Sequence, residues 1–169
     1  MIWLMRNSPD RQSPLARAAV VALSLAVMTT VVFAQAHQAA MGVWVLNVEK
    51  STFEPGPKPR IQSSTFTQLP DGTVKIENDG VDSNGNSFHR EMVSKFDGRQ
   101  ESRAGSAEPT TRAYRWLDDV NFEFTETINA MPSVVGRTTT SKDGRVRTLT
   151  VNGTRGGRPV HNIEVYERR

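Results

Sequence analysis

Alternating apolar and polar side chains dominate the chain after its first 36 residues. In residues 120–129, for example, Phe122 and Phe124 fall on one face of an extended chain. Glu123 and Thr125 fall on the opposite face. This period-two pattern is typical of strands with one buried and one solvated face. No stretch after the first 36 residues shows helical spacing of apolar residues over more than two turns, so the sequence predicts an all-β domain.

The pattern predicts about nine strands, joined in chain order mostly by short turns. So many twisted antiparallel strands either close into a barrel or split into two packed sheets. Short connections favour an antiparallel up-and-down β-barrel of about eight to ten strands, and a Greek-key sandwich is the alternative. The predicted strands are 42–48, 61–69, a strand that carries Val74 and Ile76, 87–96, 110–117, 120–129, 134–141, 145–152 and 160–167.

Tight-turn dipeptides separate these strands, because type I′ hairpin turns need residues that tolerate a positive φ. A second kind of connection is the proline-rich segment 54–60, which is predicted to stay outside any ladder since proline lacks the amide donor. The segment 98–110 is predicted to be an exposed loop. The turn dipeptides are Asp71-Gly72, Asn84-Gly85, Asp97-Gly98, Asp143-Gly144 and Asn152-Gly153.

The first 36 residues have a different composition, which predicts a cleaved signal peptide. Three arginines precede an apolar run over 18–34, and Ala34-Gln35-Ala36 supplies the small-x-small pattern of a cleavage site. The alternative is a retained membrane anchor, since a run of this length could just span a bilayer. With cleavage, we expect a single domain over 37–169, located in the periplasm or secreted, with no stable membrane anchor.

Charge and cysteine content exclude several kinds of function. The first 36 residues hold three arginines and one aspartate, so removing them lowers the net charge from +3 to +1. Nucleic-acid binding needs a concentrated basic patch, and we therefore expect no nucleic-acid partner. The chain has no cysteine. This excludes lipoprotein anchoring, disulfides, thiolate metal sites and cysteine nucleophiles.

The sequence holds few residues typical of catalytic or metal sites. Histidine occurs only at His37, His89 and His161. Neither a His-Glu-x-x-His nor a Gly-x-Ser-x-Gly motif is present. His89 and Glu91 share a strand face, but two ligands do not make a metal site. We therefore predict no catalytic residue, no metal and no cofactor.

The start of the mature chain resembles a known group of barrels. Gly42-Val43-Trp44 is similar to the Gly-x-Trp signature on the first strand of lipocalins and their calycin relatives, in which the tryptophan closes the barrel floor. Further segments look like those of short secreted bacterial proteins described as lipocalin-like. These segments are 42–47, 50–53, 55–57, 141–144, 152–154 and 165–168.

The resemblance implies a barrel with an internal cavity and a small apolar ligand, but no activity that could be carried over. The chain departs from the fatty-acid-binding relatives at one position. They have an Arg-x-Tyr near the C-terminus that holds a carboxylate inside the barrel. Here the tyrosine is Tyr166 and the residue at the arginine position is Glu164. A fatty-acid carboxylate would meet a like charge there.

Some polar residues fall in register with apolar faces. Arg90 and Ser94 alternate with aromatic and methionine side chains, Glu126 follows Phe124 by two residues, and Arg147 precedes Leu149 by two. Such groups are costly in a packed core unless they are paired. They indicate a partly polar cavity or internal ion pairs, or else a β-bulge that turns the face outward.

Three functions fit these features. The first is binding of a small, mainly apolar or amphipathic molecule inside the barrel. The second is a protein-binding module or inhibitor of exported proteins, in which the barrel is packed solid and loops make the contacts. The third is a barrel enzyme such as a cyclase or isomerase. For the first function, the predicted ligand-binding residues are Phe88, Arg90, Tyr114, Trp116, Phe122, Phe124, Glu126 and Arg147.

Overall fold

A computed structural model describes residues 37–169, and the predicted signal peptide lies outside them. The described chain folds into eleven strands preceded by a short 3₁₀ helix, Gln38–Ala40. Among these residues no helix is long and apolar enough to span a membrane. The strands are β1 (Gly42–Leu46), β2 (Thr52–Glu54), β3 (Ile61–Gln68), β4 (Val74–Val81), β5 (Ser87–Ser94), β6 (Asp97–Ser102), β7 (Thr110–Trp116), β8 (Phe122–Ile128), β9 (Met131–Thr140), β10 (Val146–Arg155) and β11 (Arg158–Arg168).

Ten of the strands form a nearly closed antiparallel barrel. Their order is β5-β4-β3-β1-β11-β10-β9-β8-β7-β6, so β1 pairs with β11, and β5 and β6 lie at the two ends of the sheet. β2 lies off this path and pairs with β11. The seam between β5 and the segment after β6 is bridged at one point, where Glu91 and Ala104 exchange backbone hydrogen bonds of 2.9 and 3.2 Å. The predicted all-β, up-and-down barrel is confirmed.

Three of the five predicted turn dipeptides lie at hairpin turns. At the turn between β4 and β5, the Asp82 amide donates to the Asn86 carbonyl at 2.9 Å. Gly85 in that turn has a φ of 94°, a conformation that favours glycine. The three dipeptides are Asp71-Gly72, Asn84-Gly85 and Asp143-Gly144.

The prediction of a turn at Asn152-Gly153 is wrong, because β10 runs through it to Arg155. The hairpin turns instead at residues 156–157, between the paired Arg155 and Arg158. Gly153 serves a different purpose, since a Cβ there would lie 2.2 Å from the Ser133 carbonyl oxygen of β9. The glycine thus permits a close approach of two strands.

Two strands were not predicted. β6 occupies part of the segment expected to be a loop and includes Asp97-Gly98, and it holds no apolar residue that could produce an alternating pattern. β2 is three residues long and ends at Glu54, which pairs with His161. The expectation that the segment from residue 54 to 60 lies wholly outside a ladder is therefore wrong at its first residue.

The inward faces follow the predicted alternation. Phe122, Phe124 and Glu126 of β8 are all 3% exposed or less. A β-bulge is present opposite Thr125 and Thr127, but the extra residue belongs to β9. β8 therefore keeps its register, and Glu126 points into the barrel.

Trp44 on β1 closes one end of the barrel. Its side chain is fully buried, and its Nε1 donates to the Ala40 carbonyl of the 3₁₀ helix at 3.2 Å. The helix therefore lies beneath the ring as a short cover. This is the floor position that the Gly-x-Trp resemblance implies for Trp44.

Candidate functional site

The barrel interior contains a cavity of about 270 Å³. This is just below the range of about 300 to 1,000 Å³ of small-molecule pockets, and it is much larger than the space that a single water molecule needs. The barrel is therefore hollow, unlike the solid one that the protein-binding hypothesis assumes. The apolar lining includes Phe66, Ile76, Phe122, Phe124, Leu149 and Val151, and the charged lining is Glu54, Arg90, Arg103, Arg112, Arg147, Arg155 and Glu164.

Five of the eight predicted ligand-binding residues lie in the cavity wall. They come from four different strands, β5, β7, β8 and β10, and the barrel brings them together because each occupies an inward position. Their role in binding a ligand stays a prediction. The five residues are Arg90, Tyr114, Phe122, Phe124 and Arg147.

The other three predicted residues lie outside the cavity wall. The Trp116 ring stacks on Phe96 at 4.2 Å and on His37 at 3.9 Å, measured between ring centroids. Phe88 supports Arg90, whose guanidinium carbon lies 4.3 Å above the centre of the Phe88 ring. Glu126 is buried in an ion pair with Arg112.

The Arg112–Glu126 pair joins β7 to β8 at directly opposed positions. Arg112 donates from Nε at 2.7 Å and from Nη2 at 2.6 Å to the same carboxylate oxygen, Oε2. Burial raises the pKa of Glu126, but the charges of Arg112 and Arg155 outweigh it and hold that pKa below its usual value. Burial likewise lowers the pKa of Arg112, while Tyr114 and Glu126 outweigh it and raise that pKa. Both groups are therefore charged at neutral pH.

Two more arginines converge on Glu126. Arg155 on β10 donates from Nη2 to Oε1 at 3.0 Å. Arg103, which follows β6, has its Nη1 3.8 Å from Oε2 and donates from Nη2 to Asn78 at 2.7 Å. Burial, followed by the charge of Arg112, lowers the pKa of Arg103 to about 9. One carboxylate thus faces three guanidinium groups.

Arg90 on β5 is a fourth cation near the three guanidinium groups that surround Glu126. Within residues 37–169 its guanidinium has no hydrogen-bond or ion-pair partner, and it lies over the Phe88 ring. Burial lowers the pKa of Arg90, and the charges of Arg112 and Arg155 lower it further. We name Arg90, Arg103, Arg112 and Arg155 the arginine cluster.

Arg147 lies at the floor, away from the arginine cluster. Its guanidinium carbon is 3.9 Å above the Trp44 ring, and Nη2 donates to the Ala40 carbonyl at 3.0 Å. Nε and Nη1 are buried and have no partner within residues 37–169. Burial, followed by the charge of Arg168, lowers the pKa of Arg147 to about 9, so it is a cation at neutral pH. Cation–π contacts with the surrounding aromatic rings hold the guanidinium over the Trp44 ring.

Glu164 on β11 is a buried carboxylate in another part of the cavity wall. It accepts hydrogen bonds from the Tyr166 hydroxyl at 2.7 Å and from Asn162 Nδ2 at 3.3 Å. Gln62 donates to the same hydroxyl at 2.6 Å. Burial, followed by the charge of Glu164, raises the pKa of Tyr166 well above its usual value. The residue two positions before Tyr166 on β11 therefore presents an acidic group to the cavity.

The sequence prediction missed three arginines of the cavity wall. Arg112 could have been found, because it precedes Tyr114 by two residues on the same strand. Arg155 lies beyond the wrongly placed turn, and Arg103 lies in the segment predicted to be a loop. No local pattern in the sequence signals the inward position of Arg103.

A group of possible metal ligands lies on the outer wall. Side-chain ligand atoms of Glu77, His89 and Glu91 all fall within 4.8 Å of one another. Lys75 already occupies the position between the two carboxylates, with Nζ 2.8 Å from Glu77 and 3.3 Å from Glu91. His89 contacts Asp79 at 2.7 Å. These charges form an exposed ion-pair network in which the lysine ammonium takes the place a cation would need.

The nearly closed antiparallel barrel is consistent with a calycin-like fold. No protein-family model, curated protein or solved structure shows a significant match to this chain. Membership of a lipocalin-like secreted family stays a prediction.

Proposed function

We propose that this protein binds a small amphipathic molecule inside its barrel. The observation that supports the proposal is the cavity of about 270 Å³, whose wall combines aromatic and aliphatic side chains with guanidinium groups. Aromatic and aliphatic surfaces favour transfer of an apolar group from water, at about 25 cal/mol per Å² buried. The polar groups give the ligand an orientation.

The electrostatics of the interior also favour binding over a purely structural role. Keeping charged groups inside a barrel costs free energy, and replacing them by well-packed apolar residues is often neutral or stabilising. Arg90 makes no hydrogen bond within the described chain. A ligand that satisfies such a group gives a reason for its position inside the barrel.

The proposal includes the cellular location. We propose a lipocalin-like exported binding protein of the periplasm or medium, supported by the leader pattern over residues 1–36 and by the Gly-x-Trp floor. A barrel that binds an amphipathic molecule inside this compartment could store it or transport it across an aqueous space.

Binding can be tested with N-phenylnaphthylamine, a neutral dye whose fluorescence rises in apolar surroundings. We expect saturable binding with about one dye per protein, and displacement of the dye by decanol. Leu149→Trp places a larger side chain in the cavity wall and should abolish the signal. Val93→Trp is the matched control, because Val93 is exposed on the outer wall.

The two variants separate interior binding from adsorption to the barrel surface. Equal loss of binding in Leu149→Trp and Val93→Trp, or equal retention in both, would contradict an interior site. Absence of saturable binding by the unmodified protein would contradict the proposed function itself. Circular dichroism of each variant checks that the barrel is intact.

A further inference from the structure

The distribution of charge inside the barrel specifies the ligand further. The arginine cluster contains four guanidinium groups, of which those of Arg103, Arg112 and Arg155 surround a single buried carboxylate, Glu126. Three positive charges are therefore left without a matching carboxylate in the cluster. The two acidic groups of the cavity wall, Glu54 and Glu164, form no ion pair within residues 37–169.

The hydrogen-bond donors of this cluster are also incompletely used. A guanidinium has five N–H donors. Arg155 uses one on Glu126, Arg103 uses one on Asn78, and Arg90 uses none within the described chain. All three line the cavity, so their free donors are within reach of a molecule inside it.

Arg147 is a weaker candidate for contact with a ligand. Its two unpartnered nitrogens, Nε and Nη1, have almost no accessible surface, because the rings of Trp44, Phe66 and Phe122 surround the guanidinium. A ligand in the cavity would have to displace part of the floor to reach them. The accessible cations are those of the arginine cluster.

We infer that the ligand carries an oxyanion head group, which Arg90, Arg103 and Arg155 bind inside the barrel while its apolar part contacts the aromatic wall. This rests on the proposed function, since it names the class of ligand for the same cavity. Guanidinium groups match carboxylate and phosphate oxygens through paired N–H donors. Burial of Arg90 and its proximity to Arg112 and Arg155 lower its pKa, and a bound anion relieves this repulsion. The site differs from the Arg-x-Tyr position on the last strand, where Glu164 lies.

The test uses four ligands that share one alkyl tail: decanoate, decyl phosphate, decanol and decyltrimethylammonium. Their affinities are measured by displacement of N-phenylnaphthylamine from the protein. We expect decanoate or decyl phosphate to bind about tenfold tighter than decanol or more, and decyltrimethylammonium to bind weakest. The comparison of the two anions identifies whether a carboxylate or a phosphate is preferred.

Arg90→Gln should reduce the preference for the anions over decanol by about tenfold. Arg155→Gln, at a half-exposed position, should act in the same direction. Arg99→Gln is the control, because that side chain is 81% exposed. Equal affinity for decanol and both anions would overturn the inference and leave the proposed function standing. Failure of all four ligands to bind would contradict both.

Discussion

Arg112 and Glu126 form a buried ion pair across β7 and β8, in which two guanidinium nitrogens contact the same carboxylate oxygen at 2.6 and 2.7 Å. Both residues lie on the inward faces of their strands, and each is less than a tenth exposed. The pair neutralises one guanidinium and fixes the position of the carboxylate. The remaining cations of the cavity wall are arranged around it.

Removing Glu126 should destabilise the protein strongly. Glu126→Ala leaves Arg112 buried without its carboxylate, and breaking a buried pair in this way typically costs about 3 to 5 kcal/mol. For a domain of this size we expect the melting temperature to fall by roughly 10 °C or more. Thermal unfolding followed by circular dichroism measures the change.

Glu123 provides the matched control on the outward face of the same strand. It pairs with Arg115 and Arg137, whose side chains are 63% and 65% exposed. Ion pairs to arginines as exposed as these contribute about 0 to 1 kcal/mol each, so Glu123→Ala should change the melting temperature much less than Glu126→Ala. An equal fall in melting temperature for Glu123→Ala and Glu126→Ala would contradict the claim that Glu126 is buried in an ion pair that stabilises the protein.

The Glu126 carboxylate should make the stability of the protein depend on pH. The pKa of Glu126 is lowered in the folded protein from its ordinary value of 4.5, chiefly by Arg112 and Arg155 acting against burial. A group with a lowered folded pKa stabilises the protein above its unfolded pKa, and this stabilisation is lost as the pH falls through the folded pKa.

The prediction is tested by urea unfolding of the unmodified protein and of Glu126→Gln at a series of pH values. The difference in unfolding free energy should be largest above about pH 5 and should shrink as the pH falls below about 4. A difference that is constant with pH would contradict a charged Glu126 in the folded state.

A larger residue at Gly136 on β9 should destabilise the protein while Phe124 is present. The two residues are directly opposed on β9 and β8, and a Cβ at residue 136 would lie 2.3 Å from the Phe124 ring. Gly136→Ala should therefore cost about 1 to 3 kcal/mol, because the ring must move in the cavity wall. Phe124→Leu should remove most of that cost, and a double-mutant cycle measures the coupling. Additive effects of the two substitutions would contradict the contact.

Much of the fold could be predicted from the sequence, because period-two alternation reports directly on which face of a strand is buried. Phe122, Phe124 and Glu126 illustrate this, since each was assigned inward and each is buried. The same reasoning located Arg90 and Arg147 in the barrel interior. The alternation works where a strand has apolar residues on one face.

The sequence was uninformative where that condition fails. β6 consists of polar residues and glycine, so nothing distinguishes it from a loop. Arg103 follows it, and its inward position depends on the Glu91–Ala104 bridge across the barrel seam, a contact between residues distant in sequence. The cavity volume depends on all inward side chains together, and no local pattern determines it.

Export is predicted separately from the barrel. A chain expressed with its native leader in a Gram-negative host should be recovered from the periplasm or medium, with a mass that begins at His37 or Gln35. The basis is the Ala34-Gln35-Ala36 pattern after the apolar run. Mass spectrometry of fractionated cells checks it. Recovery only from membranes at full-length mass would support the retained anchor instead.

The most direct test of the proposed function is methyl NMR of the protein titrated with decanol. Leu149 and Val151 line the cavity, whereas Val93 and Val135 are exposed on the outer wall. Binding inside the barrel predicts saturable shifts of the Leu149 and Val151 methyl signals, with the Val93 and Val135 signals unchanged. Shifts confined to the outer methyl groups, or no shifts at saturating decanol, would contradict a ligand site inside the barrel.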